Sequence, residues 1–410
     1  MACTVPDPLM CDVAVIGGGI IGLGIALEAQ RAGHRTMLID PDPAAGATFA
    51  AAGMLAPVSE LHYQEEDLLS LTLASAARWP DFAQTLGAET GLDTGFRTSP
   101  TLALGADAAD RAALGDLREA QARQGLGVTR LSTREARELE PLLSPHISAA
   151  HLIEMDHQVD PRAVARAIMA RLEAVGAERD AAAPGQTLVR SRATALLHED
   201  AADSGSRVTG VLLADGTEVR ARETVLANGL GAADFGGLPD SLVLPLRPVY
   251  GDILRLRVPE HLRPLTTATL RGMVRGLPVY VVPRGDDTVV IGATAREDGN
   301  PGVSAGGVHQ LLRDAQVLLP AVAELELIET TARARPGTPD NAPLLGRVAS
   351  GGGTDVPGLL VATGFFRHGV LLTPIAAHII VELIAGRSNP SWDRFRPDRF
   401  SPVLQPKEYA

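Results

Sequence analysis

The apolar positions fall into short, punctuated runs. The stretch "DVAVIGGG" is a continuous apolar run ending in glycines. So short a run predicts a buried strand over residues 12–16. In "IIGLGIALEAQRAG" the apolar positions fit a helix over 20–32, stopped by Gly33. "HRTMLID" predicts a second strand closing at Asp40. A strand, a helix and a strand in this order open a parallel sheet.

Beyond this unit the pattern changes. "GATFAAAGMLAP" has little apolar bulk. Helical stretches are predicted over 65–86 and 106–124. Ser132-x-x-Glu135 is a capping box opening a short helix. A further helix spans 160–177, with Asp160 as N-cap and Pro161 at its first position. Strands follow in "TLVRSRATALL", "RVTGVLLADGTEVRA" and "ETVLANG", with a turn at Asp215-Gly216. The region 246–295 is strand-rich, and a helix is predicted over 308–318. "GLLVATG" returns to a buried strand, followed by a helix after Phe366. Two α/β ends bracket a β-rich middle. The expected fold is therefore α/β, a Rossmann-like nucleotide-binding domain with an inserted β-rich α+β domain. The boundaries expected are 1–90, 148–235 and 328–410 for the first domain, 91–147 and 236–327 for the second. A chain of 410 residues agrees with two domains.

Composition narrows the function. The formal net charge is -12, which argues against a nucleic-acid or anionic-membrane binder. Lys407 is the only lysine, a bias read as genomic rather than chemical. Cys3 and Cys11 provide neither a disulfide framework nor a metal-ligand spacing, so no metal is expected. No secretory signal and no membrane span are visible, so the expected location is the cytoplasm.

Gly17, Gly19 and Gly22 fit G-x-G-x-x-G between a strand and a helix. Glycines here let the backbone approach a pyrophosphate at the positive end of the helix. Asp40 closes the next strand about 20 residues on, where a carboxylate accepts from ribose hydroxyls. The motif indicates a dinucleotide and leaves NAD and FAD open. In the segment after the second strand, Ala47, Thr48, Ala51, Ala52 and Gly53 would let the backbone lie against a flat ring; an alanine-rich helix or loop is the other reading. Further on, "TARARPGTPDNAPLLG" places Arg333 and Arg335 two residues apart, in a chain that is acidic overall and carries no other sign of nucleic-acid binding.

The ordered segments "VIGGGIIG", "AAAGMLAP", "DHQVDPRAV", "YVVPRGDDTVVIGAT", "RARPGTPDNAPLLG" and "ATGFFRHGVLLTP" resemble the D-amino-acid-oxidase family of FAD enzymes, and within it the glycine oxidases. The resemblance runs from about residue 12 to residue 375. It implies non-covalent FAD, since sarcosine oxidases attach flavin through a late cysteine and none follows Cys11. It places Ile20 and Ile21 at the pyrophosphate and Asp40 at the adenosine ribose. Ala47, Thr48, Ala52, Gly53 and Met54 would line phosphates and flavin, with a looser backbone contact to adenine near Ala193. Phe365, Phe366, Arg367, His368, Gly369, Val370 and Leu371 would present backbone N–H groups to the flavin. Arg335 and Tyr280 would hold the substrate carboxylate, and Arg367 would lie close to substrate and flavin. Arg333 matches no family role and reads as a salt-bridge residue. Ala295 stands where relatives carry a larger apolar side chain such as methionine. No catalytic base is assigned.

The activity implied is oxidation of glycine or another small amino acid to the imine and 2-oxo acid, with ammonia and hydrogen peroxide, dioxygen accepting the electrons. The imine would serve thiamine thiazole synthesis, and a homo-oligomer is expected. Two other readings stay open: a D-amino-acid or sarcosine dehydrogenase or oxidase with another acceptor, and a non-catalytic flavoprotein subunit.

Overall fold

The computed structural model describes residues 8–179, 187–201, 205–349 and 354–402. Cys3 and Lys407 lie outside these. The first strand, Leu9–Ile16, pairs in parallel with Thr36–Ile39 on one side and Glu218–Leu226 on the other. Asp355–Thr363 extends the sheet in parallel beyond Glu218–Leu226, and Leu188–Val189 extends it beyond Thr36–Ile39. The apolar run of the first strand is explained by this position. Val13, Ala14 and Val15 are fully buried, with neighbours on both edges and a helix over one face. That helix, Ile20–Arg31, packs with Thr373–Ile384 and Pro161–Arg179. Leu23, Ile25 and Leu27 bury their side chains in this layer.

The glycine turn is set by close approach. A Cβ at Gly22 would lie 1.9 Å from Gly17 O, so the first helical turn can fold back on the strand end only without a side chain there.

The second sheet is antiparallel except for one pair, Thr269–Val274 with Thr101–Gly105. Its strand order runs from Glu326–Gly337 at one edge through Arg247–Arg257, Thr288–Gly292 and Leu277–Pro283 toward Thr101–Gly105, Ala149–Ile153 and Thr129–Leu131. The helix Ala305–Leu318 covers one face, burying Leu311, Ala315 and Leu318. Ala149–Ile153 and Glu326–Gly337 thus belong to the second sheet. The expected boundaries at 147/148 and 327/328 gave both to the first domain. Alternation of apolar residues identifies a strand but not the sheet it joins.

Local predictions differ from the structure mainly at ends. The stretch 65–86 divides into Glu66–Ala76 and Trp79–Thr90, because Pro80 suits only the first turn of a new helix. The helix predicted from 308 starts earlier, at Ala305, where Ser304 accepts from Gly307 N at 3.2 Å. The Ser132 capping box forms, with Ser132 Oγ accepting from Glu135 N at 3.2 Å and Glu135 Oε2 from Ser132 N at 2.7 Å. "TLVRSRATALL" is two strands, Leu188–Val189 and Ala193–Ala201, the second in an antiparallel meander. No described helix is long and apolar enough to cross a membrane.

Gly22→Ala is expected to cost about 1–3 kcal/mol of stability through overpacking at the glycine turn. Urea unfolding followed by circular dichroism measures this; an unchanged midpoint would show that the turn can widen.

Candidate active site

The two sheets meet around a cavity of about 600 Å³. Gly17, Gly19, Ile20, Ile21 and Asp40 form one end of it. Ala47, Thr48, Ala52, Gly53 and Met54 line one side, and Phe365, Phe366, Arg367, His368, Gly369, Val370 and Leu371 another. The second sheet contributes Tyr280, Ala295 and Arg335.

Hydrogen bonds account for the dinucleotide end. Gly18 N donates to Asp40 Oδ2 at 2.6 Å, and Asp42 N to Asp40 Oδ1 at 2.8 Å. Asp40 therefore braces the glycine turn, and each oxygen keeps a lone pair for a ligand hydroxyl. Ile20 N donates to Thr48 Oγ1 at 2.9 Å, tying the small-residue segment to the helix start. The N–H groups of Gly19 and Ile21 have no partner among the described residues.

Charge is distributed unevenly around the other end. Arg335, on the edge strand, makes one hydrogen bond, from Nη1 to Thr294 O at 3.3 Å, and has no described carboxylate as an ion-pair partner. Gly251 lies beneath its guanidinium; a Cβ there would sit 2.3 Å from Nη2. Tyr280 stands on the strand Leu277–Pro283. Burial pushes its phenol up to about 12 against the opposing pull of Arg335, so it stays a neutral donor. A cation without an anion beside a neutral hydroxyl suits a carboxylate ligand.

Arg367 lines the cavity with its guanidinium already paired within the protein. Its Nη2 donates to Glu65 Oε2 and its Nη1 to Glu65 Oε1 at 3.3 Å, while Nε lies 3.0 Å from Glu60 Oε2. Its fork is already filled by carboxylates of the protein. Glu60 also pairs with Arg271 of the second sheet. Sequence reasoning missed Glu60, Glu65 and Arg271, since no motif contains them and only the fold brings them together. Burial and Arg367 push His368 down to about 3, so this imidazole, with Nε2 unpartnered, is uncharged.

Three further expectations change. Gly22 does not line the cavity; its role is the close turn. Ala193 lies outside the cavity too, paired with Leu213 in the meander. Arg333 lines the cavity and has no described salt-bridge partner. Its Nε donates to Ala45 O at 3.0 Å, and its guanidinium lies 5.7 Å from the centre of the Phe49 ring.

The family model described as FAD dependent oxidoreductase matches residues 12–383. The chain belongs to this FAD-dependent oxidoreductase family. A curated glycine oxidase of Geobacillus kaustophilus is 31% identical over 91% of this chain and 92% of its own length. The crystal structure of glycine oxidase from Geobacillus kaustophilus superposes with a TM-score of 0.81 at 30% identity, covering 95% of this chain and 99% of that one. The bifunctional protein ThiO/ThiG of Trichormus variabilis is 30% identical over 95% of this chain, which spans 55% of that relative's length.

The residues present fit the family's cofactor, FAD. Free N–H groups at Gly19 and Ile21 face the phosphate end of the cavity, at a helix N-terminus. Ala52 and Gly53 N–H have no partner among the described residues, nor have the N–H groups of Gly369, Val370 and Leu371. Unpaired N–H groups in buried backbone are rare, and these lie along the two sides where a flat ring would be held.

Burial alone would raise the Glu60 carboxyl, but Arg271 and Arg367 outweigh it and hold it well below the usual carboxylate range. An acid whose pKa is lowered by folding stabilises the fold above its unfolded value of about 4.3, and loses that contribution as pH falls toward the folded value. Glu60→Gln should therefore cost about 3 kcal/mol at pH 7. The difference from wild type should shrink below pH ~4. Urea midpoints at pH 7 and pH 3 provide the comparison; a gap independent of pH would remove Glu60 as an ionised strut.

Proposed function

We propose that the protein is a glycine oxidase that also takes other small amino acids. The observation that carries this is Arg335, a cation left without an anion beside the Tyr280 hydroxyl, in the same cavity as the FAD-binding segments. The planar fork of Arg335 receives the substrate carboxylate and Tyr280 donates a second contact, which fixes the α-carbon relative to the cofactor wall. Bound FAD supplies the two-electron acceptor for amine oxidation. Overall, glycine, dioxygen and water become glyoxylate, ammonia and hydrogen peroxide.

Glu60 and Tyr280 favour orientation over acid–base chemistry. Glu60 is held as a carboxylate by Arg271 and Arg367, and Tyr280 keeps its proton. Neither is tuned to exchange a proton near neutral pH, which supports a reading in which the amine enters already neutral. Ala295 lines the cavity with a short side chain, leaving room for a substituent on the substrate. The likeness to a ThiO/ThiG protein supports use of the imine product for the thiazole of thiamine. A cytoplasmic homo-oligomer belongs to the same reading.

Arg335→Ala should raise KM for glycine at least ~30-fold while FAD remains bound, since a buried charge pair loses one partner. Peroxide release against glycine concentration, with flavin content as the control, gives the result; an unchanged KM sinks the clamp. Anaerobic bleaching of the flavin by glycine, sarcosine and D-alanine tests the substrate class. Ala295→Met should shift preference toward glycine roughly tenfold by filling the pocket. Equal kcat/KM ratios before and after would mean that Ala295 does not limit size.

A further inference from the structure

Arg284 follows the strand Leu277–Pro283 that carries Tyr280, and it is only 9% exposed. It lacks a salt-bridge partner among the described residues. Its guanidinium donates to main-chain carbonyls instead: Nη1 to Val159 O at 2.9 Å and Nη2 to Ala52 O, with a longer contact from Nη1 to Gln158 Oε1 at 3.4 Å. Nε has no partner. Arg284 does not reach the cavity. Burying a cation without an anion is costly, so its hold on these carbonyls calls for a reason.

The geometry of one peptide supplies it. Ala52 C=O and Gly53 N–H belong to the same planar trans unit, so they point in opposite directions. With the carbonyl held by Arg284, the Gly53 N–H is directed away from Arg284. Gly53 lines the cavity, and this N–H has no described partner. The next carbonyl, Gly53 O, accepts from Val159 N at 2.9 Å. Two successive carbonyls therefore turn to one side, which the left-handed φ of +75° at Gly53 permits. A Cβ at Gly53 would stand 2.0 Å from Val159 O, so no other residue fits. A cation at a peptide oxygen also polarises the unit and strengthens its N–H as a donor.

We propose that Arg284 is a positioning residue for FAD: it fixes and polarises the Ala52–Gly53 peptide so that the Gly53 N–H is a preset donor to an acceptor atom of the bound cofactor. Because Tyr280 lies on the preceding strand, the same side chain couples the substrate side of the cavity to its cofactor side. Burial pushes the guanidinium down to about 10, which leaves it cationic at neutral pH. The inference rests on the family's cofactor and on local geometry, and stands whichever amine is oxidised.

The test uses purified full-length protein with three substitutions. Arg284→Met removes charge and fork. Arg284→Lys keeps the charge but loses the rigid planar fork that spans the two carbonyls. Arg347→Met removes a half-buried arginine that holds Glu223 and Leu383 O far from the cavity. The dissociation constant of FAD is measured by titrating the apoprotein, along with the visible spectrum and midpoint potential of the bound flavin. Arg284→Met should weaken FAD at least tenfold, alter the flavin bands and make the potential more negative, because a strong donor favours the electron-rich reduced form. Arg284→Lys should change each in the same direction but less. Arg347→Met should lower thermal stability without moving the FAD constant or the spectrum. Native affinity and spectrum in Arg284→Met overturn the proposal, as does an equal shift in Arg347→Met. If Arg284→Met does not fold, Arg284→Lys decides: native values for it overturn the proposal.

Discussion

Glu60 holds two arginines that approach it from different parts of the fold. Arg271 comes from the second sheet and Arg367 from the turn before the C-terminal helix. With Glu65 on the far side of Arg367, the two cations and two anions neutralise each other inside the cavity wall. This balance gives Arg335 its significance. A cavity with several competing cations would bind an anion in several ways and orient none of them. Here Arg271 and Arg367 are matched by carboxylates and Arg333 is engaged by Ala45 O and Phe49, so the carboxylate of the proposed substrate would meet the open fork of Arg335. The matched cluster also joins the two sheets, so the charge pattern and the cavity shape depend on the same contacts.

The cofactor side follows a different principle, since backbone rather than side chains supplies its donors. Free N–H groups occur at the glycine turn, at Ala52 and Gly53, and at Gly369, Val370 and Leu371. Each lies where the chain changes direction between a regular element and the next. Turns can expose N–H groups in this way because their neighbours hold the chain by other means. Asp40 braces the first, Arg284 the second, and Trp79 Nε1 with Ser75 Oγ, both donating to Leu371 O, the third. The donors are therefore aimed before any ligand arrives, which limits the reorganisation that binding requires.

The first strand, the glycine turn and Asp40 were legible because each is local: a run, a spacing and a terminal acid within one β-α-β unit. Ala47 through Met54 and Phe365 through Leu371 were legible as family segments, and the fold brings both to the cavity. Glu60, Glu65 and Arg271 were not, because "APVSELHYQEED" carries no periodic or motif signal, and Arg271 is one polar residue in an ordinary strand. Their meaning comes from a contact across more than 200 positions of chain. The two strands that join the second sheet across the expected boundaries share that cause. A strand's own residues say that it is a strand, while its partners say which sheet it completes.

Arg333 and Arg335 bring these limits to one short segment. Residues two apart on a strand face the same side, so both arginines must turn toward the cavity. What separates them is the partner each meets one step along the strand. Arg335 lies over Gly251 beside Thr294 O in the cavity wall, with no ion-pair partner among the described residues. Arg333 reaches Ala45 O and the face of Phe49, which also carries Arg162 at 3.5 Å from its ring centre. It fastens the edge strand to the small-residue segment, and the proposed α-carboxylate contact falls to its neighbour. The residue type is identical at both positions; the surface opposite each decides whether the charge serves the scaffold or the substrate.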